Sequence, residues 1–209
     1  YLSEYAKKGP VTNFVRTCIE ILSSLPSVVV GLFGFLIFVV QFEYGFSIIS
    51  GALALTVFNL PQMTRNVEDS LRNVHHTQRE AGLALGISRW ETVLHVVIPE
   101  ALPSIVTGIV LASGRIFGEA AALIFTAGQS APALDWSNWN IFSVTSPISI
   151  FRQAETLAVH IWKVNSEGTI PDGTAVSAGS AAVLLIFILI FNLGARKLGS
   201  YLHKKLTSA

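Results

Sequence analysis

Charge is what this sequence has least of. Asp, Glu, Lys and Arg make up 13% of its 209 residues, against roughly a quarter in soluble domains. The 14 basic and 13 acidic residues nearly cancel to a net charge of +1, and the isoelectric point is about 8.1. No large cationic surface can be built from that balance, which argues against a nucleic-acid partner. A single cysteine, Cys18, allows no internal disulfide and no structural zinc site. No GxxxxGK[ST] loop is present, so the chain does not hydrolyse ATP in the P-loop manner. No Ser-His-Asp set can be assembled, and adjacent His75 and His76 would point about 100° apart on a helix, too far round to share a metal. His160 and His203 have no evident co-ligands. Internal repeats and low-complexity tracts are missing too.

What is abundant is apolar: 51% of the residues are hydrophobic and mean hydropathy is +0.57. That excludes intrinsic disorder and exceeds what one soluble core needs, so several membrane-spanning helices are expected. Open strands would leave unpaired backbone groups in lipid. Four segments qualify: Leu25 to Phe42, about Phe46 to Leu60, about Leu102 to Ala127, and about Ala175 to Leu193. A span takes about 20 residues, with a range of about 17–25. The second is short, and a re-entrant or interfacial segment is its alternative. The expected organisation is an entry segment over 1–24, two spans within 25–63, a polar loop over 64–100, a span over 101–127, an outer loop over 128–174, a span over 175–195 and a tail over 196–209.

Four crossings put the entry segment, the 64–100 loop and the tail on one side. That side carries Lys7, Lys8, Arg16, Arg65, Arg72, Arg79, Arg89, Arg196, Lys197, Lys204 and Lys205. The other carries only Arg152 and Lys163, with Arg115 inside a span. The positive-inside rule therefore places the 64–100 loop in the cytoplasm. Pro26 should break the chain between the amphipathic stretch Phe14 to Leu25 and the first span. Pro61 should stop the second span at the cytoplasmic surface. Trp136, Trp139 and Trp162 in the outer loop suit a membrane interface, and Ser149 to Val164 reads either as a segment lying flat there or as an ordinary loop helix.

The densest pattern lies in the cytoplasmic loop, QREAGLALGISRWETVLHVVIP at 78–99. It predicts two short helices with a turn at Gly86, which fits a C′ position needing positive φ. Ser88 followed by Glu91 makes a capping box that starts the second helix. The small residues Ala81, Gly82, Ala84 and Gly86 would let the hairpin sit deep in a partner's groove. Pro99 and Pro103 mark the return to the membrane. Composition alone would also fit an ordinary helical hairpin.

The full spacing is more specific. Glu80-Ala81-Gly82, three residues, Gly86, nine residues, then Val96-x-Ile98-Pro99 resembles the EAA pattern of ABC importer permeases, with Gly82 for Ala, Val96 for Ile and Ile98 for Leu as departures. YLSEYAKKG at the start, SLPSVVVGLFG at 24–34, LPQMTRNVEDSLR at 60–72 and SGRIFGEAAALIFTAG at 113–128 are similar to the phosphate permeases of the PstA type, with the sister PstC type as the competitor. The resemblance implies an all-α, MetI-like polytopic bundle. It implies that Glu80, Ala81, Gly82, Gly86, Val96, Ile98 and Pro99 form the element that docks onto a cytoplasmic ATPase. It also implies two further spans ahead of YLSEY, a second permease of the PstC type, a PstB-type ATPase dimer, a PstS-type extracytoplasmic phosphate-binding protein, and inorganic phosphate as cargo. No cofactor is expected on this chain; ATP and Mg would act in the ATPase. Transport would proceed by alternating access in a bacterial plasma membrane.

Arg115 and Glu119 stand four apart in the third span and are expected to share one helix face. A charge at mid-membrane costs about 2.5–3.5 kcal/mol or more and is functional by default. Guanidinium can donate two parallel hydrogen bonds to a phosphate. Glu119 could position Arg115 or accept the proton that hydrogen phosphate has and sulfate lacks. The alternative is an ion pair that neutralises itself. Gly114, Gly118 and Ala122 add a small-residue stripe for a close partner helix. Arg65, at the cytoplasmic end of the second span, reads as a positive-inside anchor or as an exit-side phosphate contact. Rival functions are a permease for another oxyanion or an amino acid, an ATP-independent channel or carrier, and, least supported, a membrane enzyme.

Overall fold

The computed structural model describes residues 1–7, 9–168 and 171–207. Lys8 and the side chains of His203, Lys204 and Lys205 lie outside that description. All regular structure among the described residues is helical. The helices are α1 (Pro10–Ser24), α2 (Ser27–Gly34, continuing as a π-helical stretch Phe35–Gln41), α3 (Ile48–Arg72), α4 (His76–Ala84), α5 (Arg89–Thr92, continuing as a π-helical stretch Val93–Val97), α6 (Ile98–Phe117), α7 (Ala121–Thr126), α8 (Leu157–Glu167) and α9 (Gly173–Thr207). The chain forms two compact units. One comprises Tyr1–Ser23, Leu60–Gly114 and Ile190–Ala209; the other comprises Ser24–Asn59 and Arg115–Leu189.

Proline chemistry explains where helices break and where they do not. Pro26 is extended, at φ −61° and ψ 138°, and its carbonyl accepts the Val29 N–H at 3.0 Å to start α2. The expected break is there. Pro61 does not stop its helix: α3 runs 25 residues through it to Arg72. A mid-helix proline removes one amide donor and crowds the carbonyl four residues back. Here the following turn is tied by the Thr64 hydroxyl donating to the Leu60 carbonyl at 2.8 Å, and helix continues into the segment expected to be loop. Pro99 and Pro103 are likewise absorbed. Just ahead of Pro99 the helix widens, with the Ile98 N–H bonded to the Val93 carbonyl, a five-residue step that accommodates a missing donor. The C-terminal span also outruns its expected end, since α9 continues for 35 residues to Thr207.

Among the described residues, two stretches are helical, long and apolar enough to cross a membrane: Arg89–Phe117 and Gly173–Tyr201. The helices Pro10–Ser24 and Ser27–Gln41 reach that standard only together, as a broken pair. The second expected span is the first half of α3, whose polar continuation keeps the whole helix below the same standard. Along α9, Val183, Leu185, Ile186, Phe187, Leu189 and Ile190 are all exposed, as lipid-facing side chains are.

In the second unit, α7 packs on α2 and α3 through missing side chains. A Cβ on Gly31 would sit 2.9 Å from the Cα of Ala122; on Gly34, 2.9 Å from the Cβ of Ala54; on Gly51, 2.9 Å from the Cβ of Ala127. Leu123, Ile124, Ala127 and Val159 form its apolar core. The amides at the start of α3 are satisfied by the end of α7 and the loop after it: the N–H groups of Ser47, Ile48 and Ile49 donate to the carbonyls of Thr126, Arg152 and Ile150 at 2.9–3.1 Å. In the first unit, Val74, Val97 and Ala101 form a core between the end of α3 and the start of α6.

Candidate functional site

The EAA-like segment folds as a hairpin. Gly86 turns the chain at φ +80°, and its N–H donates to the Leu83 carbonyl at 3.0 Å. The left-handed conformation costs an L side chain roughly 1–2 kcal/mol, so glycine belongs there. At Ser88 the capping box is complete: the Glu91 N–H reaches the Ser88 hydroxyl at 3.2 Å and the Ser88 N–H reaches a Glu91 carboxylate oxygen at 2.9 Å. Turn and cap are both where the spacing predicts them.

One of the small residues, Gly82, packs inside the hairpin, while Ala81, Ala84 and Gly86 are exposed. Gly82 is buried, and a Cβ there would meet Cγ2 of Thr92 at 2.7 Å and Oγ1 at 3.0 Å. Glycine at this position closes α4 onto α5 within the hairpin itself. Ala81 and Glu80 are exposed, and Glu80 lies 3.1 Å from Nδ1 of His76. Gly86 and Pro99 are exposed, while Val96 and Ile98 are half-buried. The hairpin shows apolar side chains to solvent: Leu85 is 82% exposed, Trp90 60% and Leu83 50%.

Sequence reasoning missed what holds the hairpin. Arg79 on α4 donates to both carboxylate oxygens of Glu4, from Nη2 at 3.0 Å and from Nε at 3.3 Å. It also donates to the carbonyls of Leu71 at 2.6 Å and Val74 at 2.7 Å, at the end of α3. Arg89 on α5 donates to the Glu4 carbonyl and lies over the Tyr5 ring, 5.1 Å from its centroid. Tyr5 in turn packs against Trp90 at 6.4 Å. Glu4 and Arg79 are 75 residues apart, and no local spacing announces such a pair.

The charged residues beside the spans require a correction. Arg115 and Glu119 do not share a helix. α6 ends at Phe117, and the chain turns tightly, with the Gly118 N–H on the Arg115 carbonyl and the Glu119 N–H on the Ile116 carbonyl, both at 3.1 Å. A Glu119 carboxylate oxygen accepts the Ala122 N–H at 3.3 Å, so this side chain serves the start of α7. A carboxylate that satisfies an orphan amide competes with helix continuation. The small-residue stripe falls with the helix. Gly114 faces Asn192, whose Oδ1 would be 2.9 Å from an added Cβ; Gly118 is exposed; Ala122 packs on Gly31. Arg115 is itself exposed, its guanidinium 5.1 Å from the centre of the Phe58 ring. Arg65 pairs with Glu20 at 3.0 Å, both side chains well exposed. It borders a cavity of about 420 Å³ lined also by Arg16, Glu68, Asp69 and Arg72.

After α7, residues 127–156 form an irregular loop, followed by α8. Trp136 and Trp139 are 70% and 62% exposed. The Ser137 hydroxyl and N–H donate to the Asp135 carboxylate and hold it below the usual aspartate range. His160, without evident partners in the sequence, lies 2.8 Å from Glu155.

Among the described residues all regular structure is helical, apolar side chains along α9 are uncovered, and the hairpin displays Leu83, Leu85 and Trp90. Residues 1–208 match the model of the family described as binding-protein-dependent transport system inner membrane component, and the chain belongs to that family. It is thus a multi-pass permease subunit of the ABC importer, MetI-like type, and its family is one of transport subunits rather than enzymes.

Among similar proteins, the probable ABC transporter permease protein YqgI of Bacillus subtilis strain 168 is 60% identical over 208 residues, covering 100% of this chain and 71% of that protein. The phosphate transport system permease protein PstA of Xylella fastidiosa strain 9a5c is 36% identical over 199 residues, covering 95% of this chain and 64% of that one. The chain thus spans about two thirds of their length. A solved structure titled as inward-facing conformations of the MetNI methionine ABC transporter matches with a TM-score of 0.70 at 17% identity, over 96% of this chain and 82% of that one. At that identity it speaks for the fold alone.

Proposed function

We propose that this chain is the permease subunit of an ATP-driven importer of inorganic phosphate, in which the α4–α5 hairpin receives the stroke of a separate ATPase. The observation that carries the coupling is the hairpin. It is fixed by a left-handed glycine, a capping box and the Gly82–Thr92 contact, yet it displays Leu83, Leu85 and Trp90. Apolar side chains held rigidly in water mark a protein-docking surface. Phosphate as cargo is supported by the PstA relatives, and by Arg115, whose fork suits an oxyanion.

The hairpin and the tail face the cytoplasm in this reading, on the strength of the basic-residue bias. A PstC-type permease, a PstB-type ATPase dimer and a PstS-type binding protein complete the assembly. ATP and Mg act in the ATPase. When the ATPase closes, the hairpin follows and the spans switch the pathway outward. Arg115 then meets phosphate, and Arg65 either contacts it on exit or serves as an anchor. Glu119 acts from the turn below Arg115, as a helix cap that fixes the local backbone.

The test is phosphate uptake in cells lacking their own phosphate permease and carrying the full-length gene. Arg115→Ala is expected to abolish uptake with assembly intact, and Glu80→Ala with Gly86→Ala to reduce it strongly. Normal uptake by Arg115→Ala removes its phosphate contact. Competition by sulfate or molybdate equal to that of phosphate points to a broader oxyanion importer.

A further inference from the structure

The N-terminal segment Tyr1–Tyr5 touches both arms of the hairpin and the end of α3 at once. Glu4 supplies its carboxylate to Arg79 on α4 and its carbonyl to Arg89 on α5. The same Arg79 guanidinium holds two carbonyls at the end of α3. The Glu4 and Arg79 side chains are 10% and 19% exposed, unlike the other charged residues of the hairpin. Tyr5 closes the contact from the α5 side, between Arg89 and Trp90. A half-dry ion pair with two further hydrogen bonds has fixed geometry, because the planar guanidinium spends its donors in set directions. A solvated lysine or a lone surface pair would not impose one.

We infer that Glu4 is a positioning residue for energy coupling: through Arg79 it locks the hairpin to the end of α3, so that a push on the hairpin moves that helix instead of tilting the hairpin. This rests on the coupling role proposed above. In that role stiffness at the joint matters more than affinity at the tip, so loss of Glu4 uncouples without undocking. The ATPase continues to turn over while less phosphate crosses per ATP.

The experiment uses the complete transporter with the full-length chain, reconstituted in vesicles, reading phosphate uptake and ATP hydrolysis together. Glu4→Gln and Arg79→Gln are each expected to lower uptake per ATP at least fivefold with the ATPase still bound. Glu4→Asp keeps a carboxylate for Arg79 and leaves the Arg79 bonds to the Leu71 and Val74 carbonyls in place, so it should retain at least half of the coupling that Glu4→Gln loses. Unchanged uptake per ATP in Glu4→Gln overturns the inference. Should that variant fail to assemble, amide hydrogen exchange on the isolated full-length chain decides: at least tenfold faster exchange across 76–92 supports the lock, and unchanged protection refutes it. Leu85→Asp separates the two readings. If Leu85→Asp transports normally, the docking role itself falls. If it is inactive while Glu4→Gln couples normally, only the lock falls.

Discussion

Each unit of this chain has its own internal fixings, and they differ in kind. In the unit containing the hairpin, charged and capping groups add to glycine contacts such as Gly82 on Thr92: Arg79 on Glu4, the Ser88–Glu91 box, and Arg16 and Arg72, each 2.8 Å from the same Glu68 oxygen. In the other unit the close packing comes from groups that are missing. Gly31, Gly34 and Gly51 each bring a backbone or a methyl to where their own Cβ would be. The difference follows the character of the packed segments, apolar in α2 and α7 and polar in the hairpin. Between lipid-embedded helices there is no hydrophobic gain from association, so close van der Waals approach must supply the attraction. At an aqueous surface charges and caps are inexpensive to maintain, and they fix angles that smooth packing leaves free.

The largest expected effect therefore belongs to a glycine. Gly31→Val would press a side chain against the Cα of Ala122 and against the carbonyl oxygens of Ala121 and Ala122, each 3.2 Å from the Cβ position. These are backbone atoms of α7 and cannot rotate away. Overpacking usually costs about 1–3 kcal/mol, and here about 3 kcal/mol or more is expected, read as loss of folded protein on thermal denaturation in detergent. An unchanged midpoint would show that α2 and α7 do not depend on this approach.

Gly82→Ala tests the same physics inside the polar unit, where the obstacle is a side chain. Its Cβ meets the tip of Thr92, which can move at the expense of the hydroxyl's bond to the Ser88 carbonyl, now 3.0 Å. A cost of about 1–2 kcal/mol is expected, seen as faster hydrogen exchange across α4 and α5. Thr92→Ala should remove the clash, so the pair should cost about 1 kcal/mol less than the sum of the singles. Additive costs would mean that the hairpin arms do not touch. The EAA-like pattern permits alanine at 82, and only the neighbour at 92 makes it costly.

Position 82 also shows the limit of sequence reading in this molecule. Features written within four or five residues were legible: the turn at Gly86, the box at Ser88, the break at Pro26. So was the all-helical membrane class, which composition and the EAA spacing carry. What escaped was decided by competition over an amide or by distant partners. The end of α6 is invisible because apolar residues continue past it, and only the Glu119 carboxylate on the Ala122 N–H reveals that a second helix starts. Pro61 reads as a breaker because the sequence does not show that the helix continues around it. The lock at Glu4 depends on a guanidinium 75 positions away.

The smallest effect is expected at Arg65. Its partner Glu20 is the more exposed member of a pair whose side chains are 64% and 43% accessible. Such pairs contribute about 0–1 kcal/mol and are screened by salt. Glu68 next to it is 13% exposed and bridges two arginines, a geometry that holds without Glu20. Glu20→Gln should thus leave thermal stability within about 0.5 kcal/mol, at low and at high salt. Phosphate uptake gives the measurement its edge. If Arg65 only anchors α3, releasing it from Glu20 changes nothing in transport, which is the expected result. An altered uptake rate with unaltered stability would instead mean that Glu20 had been tuning the charge that an outgoing phosphate meets, and Arg65 would move from the scaffold to the pathway.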